Sequence, residues 1–115
     1  MTNRFELCPL AEIPDGGGRR FRIPTDADRE LPIFVIRRGA RLYGYENSCP
    51  HVGTPLDWVP GEFLDRTGEH IICSTHGALF RVEDGYCFAG PCLSDALDPI
   101  PIEVRDGVVY ARTSD

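Results

Sequence analysis

The chain has 115 residues, 42% of them hydrophobic and 26% charged, which is enough for one core and too little for two, so residues 1–115 read as a single domain. A net charge of −6 argues against nucleic acid as a partner, since phosphate contacts need a basic surface, and suits encounters with basic protein surfaces. No run approaches the ~18 apolar residues of a membrane span, and the start "MTNRFELCPL" has neither an apolar h-region nor a twin-arginine signal, so a cytoplasmic location without membrane contact is expected.

In chain order, a first strand is expected over 4–10 ("RFELCPL") and a second over 19–24 ("RRFRIP"), with the turn "PDGGG" between them. That turn is not a phosphate loop, because it lacks the strand–loop–helix setting and the Lys-Ser/Thr pair. The charged stretch 24–32 reads as a surface loop with room for a helical turn. "IFVIRR" (33–38) and "ARLYGYE" (40–46) are β-branched and aromatic runs joined at Gly39, and "EHIICS" (69–74) is a further strand. "FRVEDGYCF" (80–88) predicts a hairpin around Asp84-Gly85. "PIEVRDGVVYAR" (101–112) predicts another at Asp106-Gly107, an Asp-Gly pair being a strong two-residue turn signal. Ten prolines and twelve glycines interrupt any helical period. The expected class is all-β, an antiparallel sandwich or partly open barrel, with a small subdomain at about 46–82 that carries the chemistry.

The chemistry rests on two short patterns. "NSCPHVGTPL" (47–56) sets Cys49 and His51 one residue apart, and "CSTHG" (73–77) sets Cys73 and His76 two apart with Gly77 following. Chance would place both pairs in only about one or two such chains per hundred. Five cysteines, an odd number, in a chain with no export signal disfavour a disulfide framework and favour metal or redox chemistry. Structural zinc sites commonly pair Cys with Cys and His with His. Here each loop offers one of each, as a [2Fe–2S] centre needs when two cysteines hold one iron and two histidines the other.

On these residues, with the trailing "FRVEDGYCFAGPC" and a span from "CPLAEIPDGGG" to "PIPIEVRDGVVYAR", the chain resembles the Rieske [2Fe–2S] family, and within it the soluble Rieske-type ferredoxins. The resemblance implies a Rieske-like fold and one cluster per chain. Cys49 and Cys73 would hold its inner iron, and His51 and His76 its outer one, both as metal ligands and as cofactor-binding residues. It further implies a one-electron carrier between a flavin-dependent NAD(P)H reductase and a terminal oxygenase of the ring-hydroxylating type, with no catalysis or substrate pocket of its own. Respiratory-complex members carry an extra cysteine in each ligand loop, where this chain has Thr54 and Thr75. They carry serine and tyrosine hydroxyls that donate to sulfur where this chain has Ala78 and Phe80. Losing those donors lowers the potential, so the midpoint is expected near the bottom of the roughly −150 to +300 mV Rieske range. The spacer 52–72 is slightly longer than is common in the family.

Other readings stand beside this one. A small non-catalytic subunit of a larger oxidoreductase, resembling that of assimilatory nitrite reductase, fits the same length. A structural zinc module used for interaction fits the same ligand types. Cys87 and Cys92 are expected to pack beside the cluster, Cys8 to be a strand residue, and His70 to be an ordinary surface or satisfied histidine. Pro55, Leu56 and Trp58 suit either a docking rim or a cover over the cluster.

Overall fold

The computed structural model describes residues 2–24, 30–50, 55–57, 61–73, 77–91 and 95–114. Ten strands run along them: β1 (Thr2–Pro9), β2 (Gly18–Pro24), β3 (Glu30–Arg38), β4 (Arg41–Glu46), β5 (His70–Ile72), β6 (Leu79–Arg81), β7 (Cys87–Ala89), β8 (Pro99–Ile100), β9 (Ile102–Arg105) and β10 (Val108–Ser114). Among the described residues the only helical element is a 3₁₀ turn at Leu10–Glu12, and no helix is long and apolar enough to cross a membrane.

The strands form three open antiparallel sheets, ordered β1-β10-β9, β2-β3-β4-β8 and β5-β6-β7. None closes into a barrel. The run Ile33, Phe34, Val35, Ile36 is fully buried because β3 is covered on both faces. Phe34 and Ile36 enter the core shared with the third sheet. Val35 meets Cys8 and Val109 of the first sheet, and Ile33 meets Ala111. Alternation along one strand thus joins the three sheets. Phe34 stacks on Phe63 at 4.3 Å between ring centroids, extending this core toward the segment before β5.

The Asp-Gly turn forms as expected. Asp106 and Gly107 take φ of 51° and 75°, the two positive values that a type I′ hairpin demands, and Val108 faces Arg105 across it. The hairpin at Asp84-Gly85 also forms, with β6 and β7 as its arms. One expectation fails. The stretch 24–32 is not all loop, since β3 begins at Glu30 and Pro24, Ile23 and Arg22 pair with Glu30, Leu31 and Pro32. Pro32 suggested a loop, but the register with β2 carries β3 through it from Glu30 onward, while residues 25–29 lie outside those described. Strand β5 is shorter than expected, ending at Ile72, although the Cys73 N–H still bonds the carbonyl of Ala78, the residue facing it in the β5–β6 register.

Candidate metal centre

The two cysteines of the paired patterns share one buried core. Cys49 and Cys73, 1% and 0% exposed, belong to the same apolar core between the second and third sheets. Cys49 follows β4 by three residues and Cys73 follows β5 by one, so each is delivered at the end of a strand into the start of a loop. The second loop is closed by main chain. The Cys73 N–H donates to the Ala78 carbonyl at 2.9 Å, and the Gly77 N–H donates to the Cys73 carbonyl at 2.8 Å. Gly77 has φ of 71°, a left-handed value that glycine takes without strain, which accounts for the glycine after the histidine.

The first loop is closed by side chains. Asn47, 4% exposed, and Asp57, 5% exposed, are the buried polar residues among those described. Asn47 Oδ1 accepts the Leu56 N–H at 2.9 Å, and Asn47 Nδ2 donates to Asp57 Oδ1 at 3.0 Å. Asp57 Oδ2 accepts the Gly61 N–H at 3.0 Å, with the Arg20 guanidinium 3.9 Å away. The Asn47 N–H donates to the Pro32 carbonyl on β3 at 2.8 Å. Sequence reasoning missed this pair. Its one signal was an asparagine two positions before the cysteine and an aspartate set between Leu56 and Trp58, polar residues in apolar company.

His51 and His76 lie outside the described residues, as do Thr54, Trp58, Thr75 and Cys92. Ala78 and Phe80 are 0% exposed in the same core, and neither has a hydroxyl to give to sulfur. Leu56 is buried in that core too, whereas Pro55 is exposed. Cys87 packs there with its S–H donating to the Ala89 carbonyl at 3.2 Å, as a packing residue would. Cys8 is a buried residue of β1, and burial pushes its thiol pKa up, against a smaller opposing effect of Arg19. His70 opens β5, with Nδ1 3.1 Å from Asp65 Oδ2 and its ring edge-on to Phe88 at 5.0 Å. The Thr67 hydroxyl and then His70 hold the Asp65 carboxyl below its usual range.

The donor set fits an iron–sulfur group. Two buried thiols, of the soft donor type that iron–sulfur groups take, belong to one apolar core, each at the start of a loop whose next few residues include a histidine. The apolar wall of Leu56, Ala78 and Phe80 is of the kind that keeps solvent from such a centre and thereby tunes it.

Comparison with known proteins agrees. The chain is 30% identical over 106 residues to Ferredoxin CarAc of Metapseudomonas resinovorans, covering 92% of this chain and 90% of that one. It is 24% identical over 108 residues to the 3-phenylpropionate/cinnamic acid dioxygenase ferredoxin subunit of Escherichia coli (strain K12), covering 94% and 92%. Among solved structures, a chain in the complex of reduced oxygenase and oxidized ferredoxin in carbazole 1,9a-dioxygenase superposes with a TM-score of 0.73 at 28% identity, covering 94% of this chain and 91% of that one. A longer chain in an oxygenase–ferredoxin complex of the same dioxygenase superposes at 0.78 and 20% identity, which speaks to the fold alone. This chain spans 28% of that longer one. The Rieske [2Fe-2S] domain model matches residues 3–105. Sheets, buried thiols and relatives lead to one conclusion: this chain belongs to the Rieske [2Fe–2S] domain family, and the cofactor that membership implies is a Rieske-type [2Fe–2S] cluster.

Proposed function

We propose that the protein is a one-electron carrier, the ferredoxin component that takes electrons from a flavin-dependent reductase and delivers them to a terminal oxygenase of the ring-hydroxylating type. Cys49 and Cys73 hold one iron of the cluster and His51 and His76 the other. The whole chain, 1–115, acts as one domain in the cytoplasm, with residues of about 46–82 as the cluster-binding part. When bound, the cluster supplies a centre that gains and loses single electrons. The chain's residues hold it, keep its thiolate side dry and present the loops to a partner.

The observation that carries this reading is that Cys49 and Cys73 share one apolar core, although 23 residues separate them in sequence. Supporting it, the chain covers nine-tenths or more of two proteins named as ferredoxins. The test is direct. Purified protein is expected to be red-brown, with acid-labile sulfide and about two irons per chain. Its midpoint is expected near the bottom of the roughly −150 to +300 mV range, in line with Ala78 and Phe80. A flavoprotein reductase should reduce it and a terminal oxygenase should reoxidise it. Cys73→Ser and His76→Ala should each abolish the chromophore. A colourless protein holding one zinc would sink the proposal.

A further inference from the structure

Asn47 and Asp57 are costly residues to bury. An amide and a carboxylate removed from water lose hydration that only well-formed hydrogen bonds restore. An apolar pair of similar size would serve core stability equally well. What such a pair could not supply is register. Asn47 presents one acceptor, used by the Leu56 N–H, and a donor used by Asp57 Oδ1; Asp57 Oδ2 takes the Gly61 N–H. A slip of one residue in the chain between them would leave a buried carboxylate facing no donor, so a single closure of this loop is favoured.

The pair sits at the two ends of the segment that begins the ligand pattern. Asn47 is two residues before Cys49, and Leu56 and Asp57 come five and six residues after His51 in sequence. Through the Pro32 carbonyl, Asn47 is also tied to β3, the strand buried on both faces. The second ligand loop needs no such device, because its own main chain closes it through Cys73, Gly77 and Ala78. We propose that Asn47 and Asp57 are positioning residues, a buried buckle that fastens both ends of the first ligand loop to the second sheet and so keeps Cys49 and His51 in place to retain the cluster. This rests on the ligand assignment proposed above.

The buckle has a chemical signature that packing lacks: it can be reversed. Asn47→Asp alone sets two carboxylates against each other at the 3.0 Å contact. Asp57→Asn alone turns an amide N–H either on the Gly61 N–H or on the Asn47 amide, so one donor loses its acceptor in both orientations. The double variant Asn47→Asp/Asp57→Asn restores all three hydrogen bonds and gives up only the long approach of Arg20. The carboxylate at position 47 accepts the Leu56 N–H and an amide N–H from position 57, whose carbonyl oxygen takes the Gly61 N–H.

The experiment follows bleaching of the visible chromophore in the cluster-loaded proteins under excess chelator, well below their unfolding temperatures, together with the electron paramagnetic resonance signal of the reduced state. Each single variant is expected to bleach about ten- to a hundredfold faster than wild type, with a broadened signal. The double variant is expected within about threefold of wild type, with the signal restored. Asn47→Ser, whose one short hydroxyl cannot span both the Leu56 N–H and the Asp57 carboxylate as the amide does, is the milder probe should a single variant fail to fold, and is expected to bleach faster than wild type. Bleaching at the wild-type rate in Asn47→Ser or the single variants overturns the proposal. So does a double variant no slower than the faster single, which would assign the pair to general stability. A wild-type protein with no chromophore overturns the ligand assignment and this proposal together, and is told apart from the other outcomes by its colour alone.

Discussion

Tyr45 shows how one hydroxyl can join two sheets. It lies on β4 of the second sheet, 3% exposed, and its O–H donates to the Val82 carbonyl at 2.5 Å, just past β6 of the third sheet. Tyr45→Phe leaves that carbonyl without this donor in a buried setting, at an expected cost of about 1–3 kcal/mol in urea unfolding. The same residue makes a pH prediction. Burial first, then the negative Asp84 and Glu83, and then Tyr43, push the Tyr45 pKa well above its ordinary value, which is about 10. The folded chain therefore keeps a proton that the unfolded chain releases. Its contribution is fully present below about pH 10 and is lost as pH rises from there toward the folded pKa, at up to about 1.4 kcal/mol per pH unit. Tyr45→Phe removes that slope, so the variant, weaker at pH 7, should approach wild type in stability as pH climbs past 10. Parallel curves for the two proteins across that range would refute the assignment.

At the scale of elements, the fit of β8 and β9 against β4 depends on an absent side chain. Gly44, in the middle of β4, pairs with Val35 on one side and Ile100 on the other. A Cβ there would stand 2.5 Å from Ile102 Cγ1 and 2.7 Å from the Ile100 carbonyl oxygen. The isoleucine could turn away, but the carbonyl belongs to the β8 ladder and could not. Gly44→Ala is thus expected to cost about 1–3 kcal/mol by overpacking, read as a lower urea midpoint at unchanged slope. Nothing in "ARLYGYE" announces this, because the crowding comes from residues more than fifty positions on. The same distinction separates what was legible in the chain from what was not. Asp106-Gly107 was readable since its backbone angles are a local demand, and the two ligand patterns were readable since a shared centre needs those donor types at close spacing. The pairing of β1 with β10, the chain's two ends, left no local trace. Strand β8 has two residues, one of them proline, and carries too little pattern to be seen. Asn47 and Asp57 went unnoticed because only their mutual hydrogen bonds, invisible in the sequence, make their burial tolerable.

For the whole molecule, the quantity that bears on function is its charge. Twelve arginines stand against eighteen acidic residues, with no lysine. Several of those arginines are already engaged within the fold: Arg19 with Glu12, Arg38 with Glu83, Arg81 with Asp84 and Arg4 with Glu103. Arg37 is turned onto the Leu10 and Ile13 carbonyls. Pairing of this kind neutralises acids one for one and leaves the excess of six negative charges to set the field at a distance. A carrier must meet two partners in turn and leave each quickly, so its interfaces are expected to be small and its encounters steered rather than glued. Steering by net charge raises on-rates by about ten- to a thousandfold and is screened over a Debye length of about 10 Å at 0.1 M salt. The second-order rate of electron transfer from reductase to this protein should therefore fall by about tenfold or more between low and high ionic strength, while its midpoint and visible spectrum stay unchanged. A permanent subunit of a larger oxidoreductase behaves otherwise, since its electron transfer is internal and independent of encounter. Stopped-flow rates that are flat in salt would thus move the interpretation from a diffusing carrier to a bound subunit, and rates that rise with salt would point to an apolar docking face instead.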